Sequence, residues 1–129
     1  WLAKCQPYGP VVLRLGLAAL FIWFGYQQWA DTVSWVGWVP DSVVALMRMS
    51  AETLVHINGT FEIIFGMLLF LGVYTRLVAF LLALHLFHIV VMVGYNSIAA
   101  RDFGLAIATL SLAISGGDEY TVDAYRARL

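Results

Sequence analysis

Four long apolar runs constrain this chain more than any other feature: Val11 to Trp29, Ile57 to Thr75, Leu77 to Tyr95, and Phe103 to about Gly116. A bilayer core about 30 Å thick takes about 20 helical residues to cross. Inside it every backbone N–H and C=O must be satisfied by protein, and a helix does this within each run. The composition agrees. Of the 129 residues, 62% are hydrophobic and 12% charged, against roughly 45–50% and 25% in a soluble domain. The expected architecture is all-α, an integral membrane four-helix bundle forming one domain over residues 1–129 in a lipid bilayer. The first run is too long for a cleaved signal, and three more follow it. The chain begins at Trp1 rather than methionine, so a few preceding residues are expected.

Between the first two runs, "DSVVALMRMSAETLVHI" sets Val43, Val44, Leu46, Met47, Leu54 and Val55 largely opposite Arg48, Glu52 and His56. This pattern predicts an additional amphipathic helix over about 41–56, lying at the membrane interface. The preceding "SWVGWVPD" carries two tryptophans suited to the headgroup zone. The tight "VYTRL" link makes helices two and three antiparallel neighbours. With four spans, Lys4, Arg14, Arg76, Arg126 and Arg128 share one side and only Arg48 and Arg101 the other. The excess of basic residues places both termini in the cytoplasm.

Net charge is −1 and the seven basic residues are scattered, which excludes the clustered footprint of nucleic-acid binding. The single cysteine, Cys5, forms no internal disulfide and no metal-ligand spacing. Ionisable groups inside the spans are costly, and each is a candidate site. Arg14 lies about 4.5 Å from the start of its helix and is expected to snorkel to the inner surface. Glu62 lies about 7.5 Å below the outer interface and His88 about 10 Å, with His85 one turn deeper on the same helix face. Arg101 opens helix four. The expectation is that His85 and His88 point into the bundle and that His88 or Arg101 is the nearest partner of Glu62. A stripe of small residues on helix four, Gly104, Ala108, Ser111 and Ser115, is expected to pack against its neighbours.

Three roles stay open for Glu62, His85, His88 and Arg101. They can fix helix register as a structural cluster. They can bind a quinone and move its protons, since a carboxylate and an imidazole suit that chemistry. Two histidines and a carboxylate can also share a divalent ion, although one helix cannot supply both axial ligands of a haem.

Three blocks carry a resemblance to a known family: "LRLGLAALFIWFGYQQW" (13–29), "NGTFEIIFGMLLFLGVYTRLVAFLLAL" (58–84) and "RDFGLAIATLSLAISGGDEYTVD" (101–123). The chain resembles the DoxX family of small four-helix membrane proteins. Arg14 and Gly25 match its first block, with Gln27 and Gln28 where lysine is usual. Glu62, Gly66, Gly72, Thr75 and Arg76 match the second, and Gly116, Gly117, Thr121 and Asp123 the third. The resemblance implies a bacterial or archaeal cell membrane and a small accessory subunit, with other membrane subunits as partners, in a redox-linked complex. One alternative is a quinone-coupled oxidoreductase of thiosulfate:quinone type; a second is a small-solute transporter, although inverted repeats and broken helices are absent. There is no CxxC, dinucleotide or flavin motif, so electrons must come from another subunit. In the tail, Gly116 and Gly117 predict a sharp turn, after which Asp123 accepts hydrogen bonds from neighbouring helix ends or from Arg76.

Overall fold

The computed structural model describes every residue from Trp1 to Leu129. It is entirely helical, and four of its helices are long and apolar enough to cross a membrane. After a 3-10 turn at Leu2–Tyr8, the elements are α1 Gly9–Ala30, α2 Val33–Val36, α3 Asp41–Met47, α4 Ala51–Leu71, α5 Thr75–Val93, α6 Ser97–Ser115 and α7 Val122–Ala127. The four long ones, α1, α4, α5 and α6, are the expected spans with adjusted ends.

The largest adjustment concerns residues 41–56, which do not form one helix. Arg48 takes a left-handed backbone (φ 53°), and Ser50 is extended, its hydroxyl accepting the Thr53 N–H at 3.2 Å. Serine is a strong N-cap because its oxygen satisfies one of the otherwise unpaired first-turn N–H groups. Residues 51–56 are therefore the start of α4, and only the short α3 remains separate. Asn96 does the same for α6. Its side chain accepts the Ala99 N–H at 2.9 Å and starts that helix at Ser97, six residues before Phe103.

The bundle is two close pairs, α1 with α4 and α5 with α6, which meet each other more sparingly. Glycines let α1 and α4 approach. A Cβ on Gly25 would lie 2.5 Å from the Gly59 carbonyl oxygen, and one on Gly66 3.2 Å from the Ile22 nitrogen. Leu17, Phe21, Leu69, Leu82, Leu86 and Leu112 fill the core between the pairs. On α6 the inward face is Asp102, Ala106, Thr109 and Ala113. The predicted stripe is turned out instead: Gly104, Ser111 and Ser115 are exposed and Ala108 is half-buried. Two small-residue registers run along this helix, and the one carrying the costly Asp102 carboxylate is the one that packs.

The chain's last segment folds back under the bundle. Gly116 turns it with φ 87°. Asp123 accepts the Tyr74 and Thr75 N–H groups at 2.8 and 2.7 Å and the Thr75 hydroxyl at 3.0 Å, capping α5. Arg76 is engaged elsewhere, donating to the Ile114 and Ser115 carbonyls. Arg14 is not a snorkelling anchor. It is 2% exposed, donates to Asp118 Oδ2 at 2.7 Å and Oδ1 at 3.3 Å, and donates to the Leu69 carbonyl at 3.2 Å and to that of Phe70. Asp118 lies 104 positions away, so no local reading of α1 reveals the pairing.

Both tail carboxylates bear on acid stability. Burial pushes the Asp118 carboxyl up, but the Arg14 hydrogen bond, the Tyr120 N–H and the Arg14 charge outweigh it and hold the group below its ordinary 3.8. Asp123 is likewise pushed up by burial and brought below 3.8 by the Thr75 and Tyr74 N–H groups, the Thr75 hydroxyl and the Arg126 charge. The unfolded chain therefore binds protons at higher pH than the folded one, so stability rises with pH through this window. Their contribution is complete above about pH 4–5 and lost as pH falls below 3.8. Thermal melting in detergent should be flat from pH 7 to 5 and fall below 4. Asp118→Asn and Asp123→Asn should each flatten that fall, and an unchanged acid profile in both would contradict the assignment.

Candidate functional site

At the end of the bundle away from the tail, the two helix pairs part around a cavity of about 620 Å³. Fifteen of its 24 lining residues are hydrophobic, a composition and size typical of small-ligand sites. The segment from Ser34 to Met47, including Trp35 and Trp38, covers it.

The polar floor is built on Glu62, in the middle of α4 and 3% exposed. Gln28 near the end of α1 donates Nε2 to Glu62 Oε2 at 2.8 Å and also to the Phe24 carbonyl at 3.1 Å. Asn58, one turn before Glu62, donates Nδ2 to Gln28 Oε1 at 2.7 Å and to Glu62 Oε1 at 3.3 Å. Each carboxylate oxygen thus accepts an amide N–H, and both amide NH2 groups are fully committed. From α5, His85 brings Nε2 to 3.4 Å from Glu62 Oε1, outside hydrogen-bond geometry. That nitrogen is the one buried side-chain N or O atom in the protein without a hydrogen-bond partner. Phe61 packs on the imidazole with ring centroids 4.5 Å apart.

Arg101 occupies a different wall. It pairs with the buried Asp102, donating Nε to Oδ1 at 2.9 Å, and its guanidinium lies 4.7 Å over the Phe24 ring. Trp35 meets the same ring from above, its centroid 6.2 Å away. Beside the cavity, His56 stacks on Trp29 at 4.1 Å and contacts the Thr32 hydroxyl at 2.9 Å, tying the end of α1 to α4.

Of the four residues singled out from sequence, the structure brings two together, Glu62 and His85. His88 does not point into the bundle. It is exposed at the rim of the cavity, because residues three apart on a helix differ by about 60° in direction and the α4–α5 seam falls between them. Neither His88 nor Arg101 partners Glu62; Gln28 does. The missed residue carried a signal. Arg14, Phe21 and Gln28 recur every seven positions and form one buried face of α1. Asn58, four residues before Glu62, shares its face for the same reason. No three His, Cys, Asp or Glu side chains converge to hold a metal ion.

The positions that build this geometry are also those in which the chain can be compared with others. A family model for DoxX matches residues 9–95. The chain belongs to the DoxX family. Neither a curated protein nor a solved structure matches it. The DoxX match takes in α1, α4 and α5, and with them Gly25, Gly66, Gln28, Asn58, Glu62 and His85. Its end at Tyr95 leaves α6 with Arg101 and Asp102, and the tail carboxylates Asp118 and Asp123, outside the matched DoxX region.

Proposed function

We propose that this DoxX protein is a small subunit of a larger redox-linked membrane assembly and that its cavity holds the head of a quinone-type lipid. The observation that carries this reading is the unpaired His85 Nε2, buried 3.4 Å from Glu62 Oε1 at the floor of an apolar cavity. A neutral carbonyl oxygen suits that nitrogen as an acceptor, and the surrounding apolar walls suit a ring. A quinone, when bound, supplies a couple that takes up electrons together with protons. His85 would hold its oxygen and Glu62 would hold or release a proton next to it, with Gln28 and Asn58 fixing the carboxylate. The absence of dinucleotide, flavin and CxxC motifs assigns electron supply to another subunit.

The test separates chemistry from architecture. Glu62→Gln keeps the hydrogen-bonding shape but cannot carry a proton. It should leave the melting temperature nearly unchanged while lowering the quinone-linked activity of the native assembly by at least about a hundredfold, the lower range for general acid–base groups. Full activity in this variant would reduce the cluster to a structural role.

We propose in addition, from the excess of basic residues on the tail side, that both termini are cytoplasmic and that the covering segment lies on the outer face. With the exposed Cys5 replaced by serine, a cysteine at Asp41 should react with an impermeant reagent added outside and one at Asp123 should not. Labelling of position 41 only from the cytoplasmic side would reverse the orientation.

A further inference from the structure

Resting on that reading, we propose that the ligand enters sideways from the bilayer between α4 and α5 and leaves a long apolar tail lying in that seam, so the site selects tailed lipids over their water-soluble heads. Four helices in two close pairs leave two looser seams, α1–α6 and α4–α5. They are closed differently. Arg101 reaches from α6 over the Phe24 ring of α1 at 4.7 Å, and its ion pair with Asp102 holds it there. A charged, anchored bridge makes that seam a wall. The α4–α5 seam is bridged at the depth of the floor by Phe61 against His85.

Towards the covering segment, the residues on either side of this second seam are Ile57 of α4 and His88 and Met92 of α5. All three line the cavity, and all three are exposed, Ile57 to 52% and Met92 to 37%. Trp38 and Met47 of the covering segment and Arg101 also line the cavity and are exposed, so the cavity opens under that segment as well, and Ile57, His88 and Met92 mark its lateral mouth. This lateral mouth lies near the ends of two membrane-spanning helices, where the headgroup zone gives way to hydrocarbon. Ile57 and Met92 offer an apolar bed on which a chain gains packing contacts with protein in place of contacts with lipid. A molecule with its head at His85 and Glu62 thus has an apolar way out for its substituent between α4 and α5.

The experiment uses the full chain in nanodiscs and two probes with the same head, a decyl-substituted benzoquinone and its methyl analogue. Binding is expressed per mole fraction in the lipid so that partitioning cancels. The decyl compound should bind at least about tenfold more tightly, equivalent to about 1.4 kcal/mol of chain packing against protein. Ile57→Trp and Met92→Trp, which narrow the mouth, should each remove that tenfold preference while leaving the methyl compound's affinity and the melting profile unchanged. Ile64→Trp, on the exposed face of α4 away from the cavity, should change neither. Equal affinity for the two probes in the wild-type protein would overturn the lateral-tail proposal and leave the quinone reading standing. So would mouth variants that fold and bind the decyl compound normally. Failure of both probes to bind would overturn the two together.

Discussion

Asp118→Ala should cost about 3–5 kcal/mol of stability, because it removes the counter-charge of a buried arginine and leaves the guanidinium in place. Arg14 is 2% exposed and the Asp118 side chain 3%. Without the carboxylate, Arg14 keeps only the Leu69 and Phe70 carbonyls at the end of α4, and neutral acceptors do not balance its charge. The loss also unfastens the tail, since Asp118 Oδ1 accepts the Tyr120 N–H at 2.9 Å where the chain turns towards Asp123 and α5. Removing both charges should be milder. A double replacement, Arg14→Met with Asp118→Leu, takes away the charge that would otherwise be stranded, and such exchanges are often near neutral. Thermal or denaturant unfolding of Arg14→Met, Asp118→Leu and the double variant measures the coupling. If Asp118→Ala alone melts like the wild type, Arg14 finds water or another partner and the latch is dispensable.

Gly25→Val should also be damaging, for a different reason. A Cβ there would sit 2.5 Å from the Gly59 carbonyl oxygen and 2.6 Å from Ile63 Cγ1. The first of these is backbone and cannot swing aside. α1 must then move off α4, and overpacking of this sort costs about 1–3 kcal/mol or more. The site should suffer with the fold, since Gln28 is carried less than one turn beyond Gly25 and reaches Glu62 at 2.8 Å. Gly16→Ala is the control. Nothing lies within 4 Å of a Cβ at Gly16, and alanine is favoured over glycine in a helix by about 0.8–1.0 kcal/mol. The expected ordering is therefore Gly16→Ala at or above the wild type and Gly25→Val far below it. Equal melting of the two would mean that the close approach is not needed.

The spans were legible because hydrocarbon thickness and backbone satisfaction leave a long apolar run little choice. Helix depth was legible only coarsely: it brought His88 level with Glu62 and put His85 one turn deeper, whereas His85 is the histidine beside Glu62 in the structure. What depth does not contain is rotation. His85 and His88 share a broad face, yet one meets the floor and the other stands at the mouth, a difference set by where α4 abuts α5. The α6 stripe failed for the same reason. Its two small-residue registers are alike in size, and the buried Asp102 should have decided between them. Capping was present in the residues but outweighed by amphipathic pattern: Ser50 ends any continuous helix over 41–56 as a strong N-cap. Arg14 with Asp118 lay beyond sequence reasoning altogether, since an α1 charge and a tail carboxylate meet only after the bundle has closed.

On the proposed reading, a tailed, redox-active lipid sits with its head at Glu62 and His85. Purifying the protein from its own membrane in mild detergent and identifying the retained small molecule by mass spectrometry tests this most directly. The wild-type protein should carry a quinone-type lipid in near-stoichiometric amount, and Glu62→Leu should lose it while keeping its phospholipid. Phospholipid alone in the wild type, or the same quinone content in both proteins, would contradict the account.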